Sequence, residues 1–326
     1  MRRIDLNSLT FRSGVFAFIF APLALIIMNV SMADIYTRTA VGLPLASVEG
    51  MLGMGLAALI FVLIAFNCDK SSAGLFVSAF WSIPIGIAQL TNLLYFPKFL
   101  SFSVTSTELS AAVTWNFQPI AVTAILFGSA CAVYSIHRTC AAHLGIASNH
   151  QGKYRHNRQK KRIAVAIAVV PLTILATMLL IEITPLDTAP LASGHFFDIT
   201  HITLYSSIEA LIAAACLGAV ALMSRWSLGG PQICAWVLLV IPAYFLEPLW
   251  STLTGNVVTP GYLGLNTHGH VAPIIASLGF VLGTTTLGVH WARITHLRSF
   301  MENAKTSKGA DTPAEYVDYL NAAEAL

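Results

Sequence analysis

Charge is scarce in this chain. Asp, Glu, Lys and Arg make up 10% of its 326 residues, where a soluble domain carries about a quarter. With 56% of the residues hydrophobic and a mean hydropathy of +0.71, a water-soluble globule is excluded and a polytopic membrane protein is expected. Cysteine is sparse as well. Cys68, Cys131, Cys140, Cys216 and Cys234 lie in apolar runs or on the face assigned below to the cytosol, so no disulfide framework can be drawn and they read as small buried hydrophobes. The chain also lacks a phosphate-cradling Gly-rich loop, an aspartate-rich diphosphate motif, a GxSxG elbow and a retinal-holding lysine in its seventh apolar run. A net charge of +3 would suggest nucleic acid only if the basic residues clustered on a folded face. Here they follow the membrane topology, so no nucleic-acid partner is expected.

Long apolar runs, by contrast, are plentiful. Eight lie at roughly 14–33, 47–66, 73–95, 117–137, 162–183, 203–224, 233–253 and 271–291, each near the ~20 residues that a spanning helix needs. With the N-terminus inside, 16 of the 18 Lys and Arg residues fall on the cytosolic side, and Arg38 and Lys98 alone fall outside. That asymmetry predicts cytosolic N- and C-termini. The first run resembles a signal peptide ending in Val30-Ser-Met-Ala33. Its length and its echo further along the chain predict an uncleaved helix instead.

The echo is an internal repeat. Ala21-Pro-Leu-Ala-Leu-Ile-Ile-Met28 is similar to Val170-Pro-Leu-Thr-Ile-Leu-Ala-Thr-Met178, and an acid follows each, Asp34 and Glu182. Ser47-Val-Glu49 matches Ser207-Ile-Glu209 at an offset of 160, and Pro84 and Gln89 match Pro242 and Glu247 at 158. Pro119 to His137 matches Pro273 to His290. The expected fold is therefore all-α, with eight transmembrane helices in two parallel four-helix repeats, since an even number of spans leaves both halves in the same orientation. Residues 1–137 form the first repeat, 138–161 a basic cytosolic linker, 162–298 the second repeat and 299–326 a polar cytosolic tail. The linker ends in Lys153-Tyr-Arg-His-Asn-Arg-Gln-Lys-Lys-Arg162, which reads as a topology signal or a site for anionic lipid headgroups. In the tail, Thr312-Pro begins a short surface helix.

Chemistry is expected where ionisable residues interrupt apolar runs. Glu247 lies in Ile241-Pro-Ala-Tyr-Phe-Leu-Glu-Pro-Leu-Trp250, where an intramembrane charge costs about 2.5–3.5 kcal/mol and marks a functional site by default. Glu49, Glu209 and Gln89 share its outer half of the membrane, which predicts a polar-lined pocket between the halves. Glu49 and Glu209 can alternatively be solvated near the interface, with Ser47 and Ser207 starting their helices. The aromatics Phe80, Trp81, Tyr244, Phe245 and Trp250 fall on the same helices and either line that pocket or pack helices. His195, Asp198, His201, His268 and His270 cluster in outer loops, but their spacing fits no standard metal motif. No metal or cofactor is therefore expected, and His270 reads as a proton acceptor. His137 and His290 fall at cytosolic helix ends, and Gly279-Phe-Val-Leu-Gly283 reads as a helix-packing face.

At Ala79-Phe-Trp-Ser-Ile-Pro-Ile-Gly-Ile-Ala-Gln89 the chain resembles the eight-helix fungal membrane-bound terpene cyclases of ascochlorin- and macrophorin-type meroterpenoid pathways. Those proteins carry a Trp, a Pro and a Gln in a similar helix, preceded by a helix with a Pro and a following Met like Pro22 and Met28. In this chain another helix intervenes between the two segments. The resemblance implies cyclisation of a farnesyl-type chain, with or without an epoxide, carried on a phenolic or quinone-like head. The residues suit such a reaction: a protonated Glu247 is the acid, Glu49, Glu209 or His270 the base, and aromatic faces hold the spreading cation in a dry pocket. The partner would be a lipophilic small molecule, and the location the endoplasmic reticulum in a eukaryote. The rival expectation is a secondary transporter or channel with its site between the repeats. It predicts discontinuous helices and polar access from both faces.

Overall fold

The computed structural model describes the backbone of residues 8–40, 47–69, 71–90, 106–143, 151–183, 196–243 and 265–308, and the side chains of 8–35, 47–69, 71–88, 117–138, 162–183, 207–243 and 271–295. Among the described residues the fold is all-α. The helices are α1 (Leu9–Ala40), α2 (Val48–Phe66), α3 (Ala73–Leu90), α4 (Ser106–His143), α5 (Gln151–Glu182), α6 (Phe196–Met223), α7 (Gly229–Ile233, continuing as a π-helix over Cys234–Val240) and α8 (Leu265–Lys308). Over its described residues each of the eight apolar runs falls on a helix. Among the described residues five helices, α1, α2, α4, α5 and α8, contain stretches long and apolar enough to cross a membrane, while the described apolar stretches of α3, α6 and α7 are shorter.

Several helices outrun the apolar stretch that predicts them. Helix α4 begins at Ser106, α5 at Gln151 within the basic linker, and α8 continues to Lys308 in what reads as tail. Hydropathy marks only the apolar part of a helix, whereas its backbone hydrogen bonds are internal and carry on into polar sequence. The surface helix expected from Thr312 lies outside the described residues.

Helix packing places α4 and α8 at the centre. In the first half α1 packs on α2 and α3, and α3 on α4; in the second α5 packs on α6 and α7, and α7 on α8. Across the halves α4 packs on α6 and α8 on α2, and α4 and α8 lie against each other. The apolar window of α8 is 89% buried and that of α5 only 22%, so α8 is the innermost helix and α5 the most peripheral. Helix α1 belongs to the core: Ala17, Ala21 and Ala24 have no exposed surface. Large apolar side chains also cover the outside, Leu52 at 70% and Ile167 at 67% exposure among them.

Small residues set the close approaches. A Cβ on Gly128 of α4 would overlap the Gly218 carbonyl of α6, and one on Gly288 of α8 would overlap Ala65 of α2. Gly279 and Gly283, the expected packing face, lie against α7: a Cβ on Gly279 would come within 2.8 Å of the Ala235 carbonyl oxygen, and one on Gly283 within 3.0 Å of the Trp236 ring. Hydroxyls and an amide join α4 to α8 through Gln118 Nε2 to Ser277 Oγ (3.3 Å) and Ser129 Oγ to Thr285 Oγ1 (3.0 Å). Such pairs satisfy polar groups that an apolar surround cannot solvate.

Candidate functional site

Helices α3 and α6 both pack on α4 but hardly on each other. Where they diverge, small side chains leave a groove of about 440 Å³. Gly86 of α3 allows the approach to α4, since a Cβ there would sit 2.8 Å from Pro119 Cβ. Ala124 on α4 and Ala214 and Ala215 on α6 keep the remaining walls low. The rim is formed by Ile83, Ile87, Phe127 and Leu211, each of them well exposed. The groove therefore opens sideways, onto the apolar outer surface.

Two hydroxyls face this groove, Ser82 from α3 and Thr123 from α4. Their oxygens are 2.6 Å apart; Ser82 Oγ lies 2.7 Å from the Ala79 carbonyl oxygen, and Thr123 Oγ1 lies 2.7 Å from that of Pro119. Each hydroxyl has one proton. Either Ser82 donates to Thr123, which donates to Pro119, or Thr123 donates to Ser82, which donates to Ala79. In both arrangements one of the two oxygens receives no hydrogen bond and stays open as an acceptor.

The expected site residues are distributed more widely. Phe80 is 67% exposed on the outer surface and does not line the groove. Trp81 is half-buried, its ring centroid 5.2 Å from that of Phe18 on α1, and its indole N–H has no acceptor among the described residues. Glu49 is exposed in the first turn of α2. Glu209 is half-buried on α6, close enough to Glu182 for the two charges to act on each other. Gln89 and His270 lie on α3 and α8 with side chains outside the described set; Tyr244, Phe245, Glu247 and Trp250 lie outside the described residues altogether, as does His195. Asp198, His201 and His268 are described only as helical backbone. Among the described residues no group of three His, Cys, Asp or Glu side chains is placed to hold a metal.

Ser47 starts α2 as the sequence suggests, while the partners Asp34 and Arg293 escape a reading of the sequence. Ser47 caps α2 by accepting from the Gly50 N–H (3.1 Å), and Asp34 of α1 binds both the Ser47 hydroxyl and the Gly50 N–H (3.1 Å). A carboxylate there complements the positive end of α2. On the other side of the bundle, His137 Nε2 of α4 sits 3.1 Å from the Asp69 carbonyl oxygen, beyond the end of α2. Arg293 of α8 occupies the corresponding place in the second half, donating to the carbonyls of Ser224 (2.7 Å) and Arg225 at the end of α6. Both cap helix C-termini, the structural role expected of His137. The Ser82–Thr123 pair has a sequence signal only in retrospect: a Thr four residues after Pro119, positioned to bond its carbonyl. No protein-family model, curated protein or solved structure matches the chain.

Proposed function

We propose that this chain is a multi-pass membrane protein built of two parallel four-helix repeats, with cytosolic termini, that acts on a lipophilic isoprenoid-type chain. The packing supports the repeat: each principal contact within the first half has its counterpart in the second, and the α4–α6 contact between halves is matched by α8–α2. The α4–α8 pair then lies on the pseudo-two-fold axis, along the membrane normal. Lys and Arg asymmetry supports the orientation, and the endoplasmic reticulum follows as the location in a eukaryote. The basic stretch 153–162 would then meet anionic headgroups.

The observation that carries the functional reading is the apolar, sideways-open groove, whose α3 wall comes from the same segment, Ala79–Gln89, that resembles the membrane-bound terpene cyclases. Its volume falls within the ~300–1,000 Å³ of small-molecule sites. In the reaction we propose, the carboxyl of Glu247 gives its proton to a terminal alkene carbon or an epoxide oxygen. The neighbouring double bond closes a new carbon–carbon bond onto the resulting cation, and a base, Glu49, Glu209 or His270, removes the final proton. Among the described residues no carboxylate lines the groove, so this reading depends on Glu247. Expressed in a host fed linear farnesylated phenol, the Glu247→Gln variant should accumulate unchanged precursor while the wild type forms cyclised product. Cyclised product from the variant at wild-type yield would eliminate Glu247 as the acid.

The transporter reading draws on one observation, the π-helical turns of α7, because such departures occur at functional and mobile sites. The apolar groove lining favours the lipophile.

A further inference from the structure

Resting on the reading that this chain handles a lipophile, we propose that the groove between α3, α4 and α6 binds a neutral single-chain lipophile bearing a hydroxyl, whose proton is donated to the open oxygen of the Ser82–Thr123 pair. Ser82 is 1% exposed and faces the groove, so the open acceptor is a polar feature at the floor of an apolar site. An acceptor left open in such surroundings is unfavourable, and a ligand O–H would satisfy it. Among the described residues no side chain lining the groove carries a charge. Against this lining a phosphate or carboxylate head would lie without a counter-charge, at a heavy desolvation cost, and the ligand we propose is therefore a neutral one. The volume of about 440 Å³ lies toward the small end of ligand sites and suits one chain with a small head, not two acyl chains.

The repeat supplies an independent argument. At the offset aligning α2 with α6, Ala214 corresponds to Met54, and with Pro119 of α4 set against Pro273 of α8, Ala124 corresponds to Leu278. Met54 and Leu278 are 1% and 0% exposed, packed in the core. The same positions are filled in one half and emptied in the other. A duplicated bundle needs no such difference to fold, whereas a site used on one side only does.

The test is binding of radiolabelled farnesol to the full chain in phosphatidylcholine nanodiscs, with farnesyl methyl ether, farnesyl diphosphate and dioleoylglycerol as competitors. Farnesol should bind about tenfold more tightly than the ether, the effect of one hydrogen bond in an apolar site. Ser82→Ala with Thr123→Val should abolish that preference and leave the affinity for the ether unchanged. If this double variant does not fold, Ser82→Ala with Thr123→Ser, which removes one of the two oxygens, should narrow the preference severalfold. Ala215→Phe, at an exposed wall position, should abolish binding of both alcohol and ether. Equal affinities for alcohol and ether, with Ala215→Phe still blocking both, would overturn the hydroxyl assignment alone. Tighter binding of the diphosphate would overturn neutrality, and displacement by dioleoylglycerol at equal concentration would overturn the single chain. Binding of both ligands unchanged by Ala215→Phe would remove the groove as the site, and with it the observation carrying the proposed function.

Discussion

The behaviour of an individual residue here is set by what surrounds it in a bundle with a largely apolar core. Cys68 follows α2 and is fully buried, its sulfur 3.7 Å from Ser13 Oγ. Burial penalises the thiolate and pushes the thiol from 9.0 up to about 11, against the smaller lowering effect of the Ser13 hydrogen bond. The folded-state value is raised, so this contribution to stability is complete below about pH 9. It is lost as pH climbs toward 11, because the unfolded thiol ionises first. The loss amounts to about 2–3 kcal/mol. Cys68→Ala should lack it: denaturation of the two proteins from pH 8 to 11 should show wild type losing that much more stability. Parallel pH curves would contradict the burial argument. Gly128 and Gly288 make the opposite point, because what matters there is the absent side chain, which lets neighbouring backbones approach.

Helix α7 shows how an element is held. Gln232 Nε2 donates to the Gly283 carbonyl (2.7 Å) and to Thr286 Oγ1 (2.8 Å) on α8, while its Oε1 accepts from the Trp236 indole N–H (2.7 Å). The amide thus fastens the π-helical turns to α8, where Gly279 and Gly283 bring the two helices close. Replacing Gln232 with Leu leaves the indole N–H without an acceptor and removes both interhelical bonds, at a cost of about 2–4 kcal/mol. Trp236→Phe keeps those two bonds and should cost less. Thermal unfolding in detergent should therefore rank wild type above Trp236→Phe above Gln232→Leu. The reverse order would show that ring packing on Gly283 and Phe280, not the amide, holds α7 in place.

Across the whole molecule, the contacts between halves run through α4–α6, α4–α8, α8–α2 and α1–α8, and they include the buried polar side chains of Gln118, Ser129, Ser277 and Thr285. Among the described residues Gln118 and Ser129 find their side-chain partners only across this interface, whereas Ser277 and Thr285 also donate to carbonyls of α8 itself. Chains 1–143 and 151–326 expressed together should co-purify as one complex, and each expressed alone should be degraded or aggregate. Recovery of either half as a stable monomer would show that the interface is dispensable. Reporter fusions at both termini should give cytosolic signals, as the charge asymmetry requires.

How much was legible in the sequence follows from which forces are local. The helical class was readable, because long apolar runs leave a backbone no option but to bond internally, and the duplicated Pro, Ser and Glu positions led to the expectation of two related halves. The capping roles of Asp34 and Arg293 were not, since each reaches a partner on another helix. Nor was the groove: it exists because α3 and α6 diverge from α4 at residues whose smallness looks like ordinary helix composition, and because two hydroxyls 41 positions apart meet over them. Composition and periodicity determined that this chain folds as apolar helices, several of them long enough to cross a membrane. Only the tertiary packing decided where space is left and which polar atom faces it, because both depend on residues brought together from separate helices.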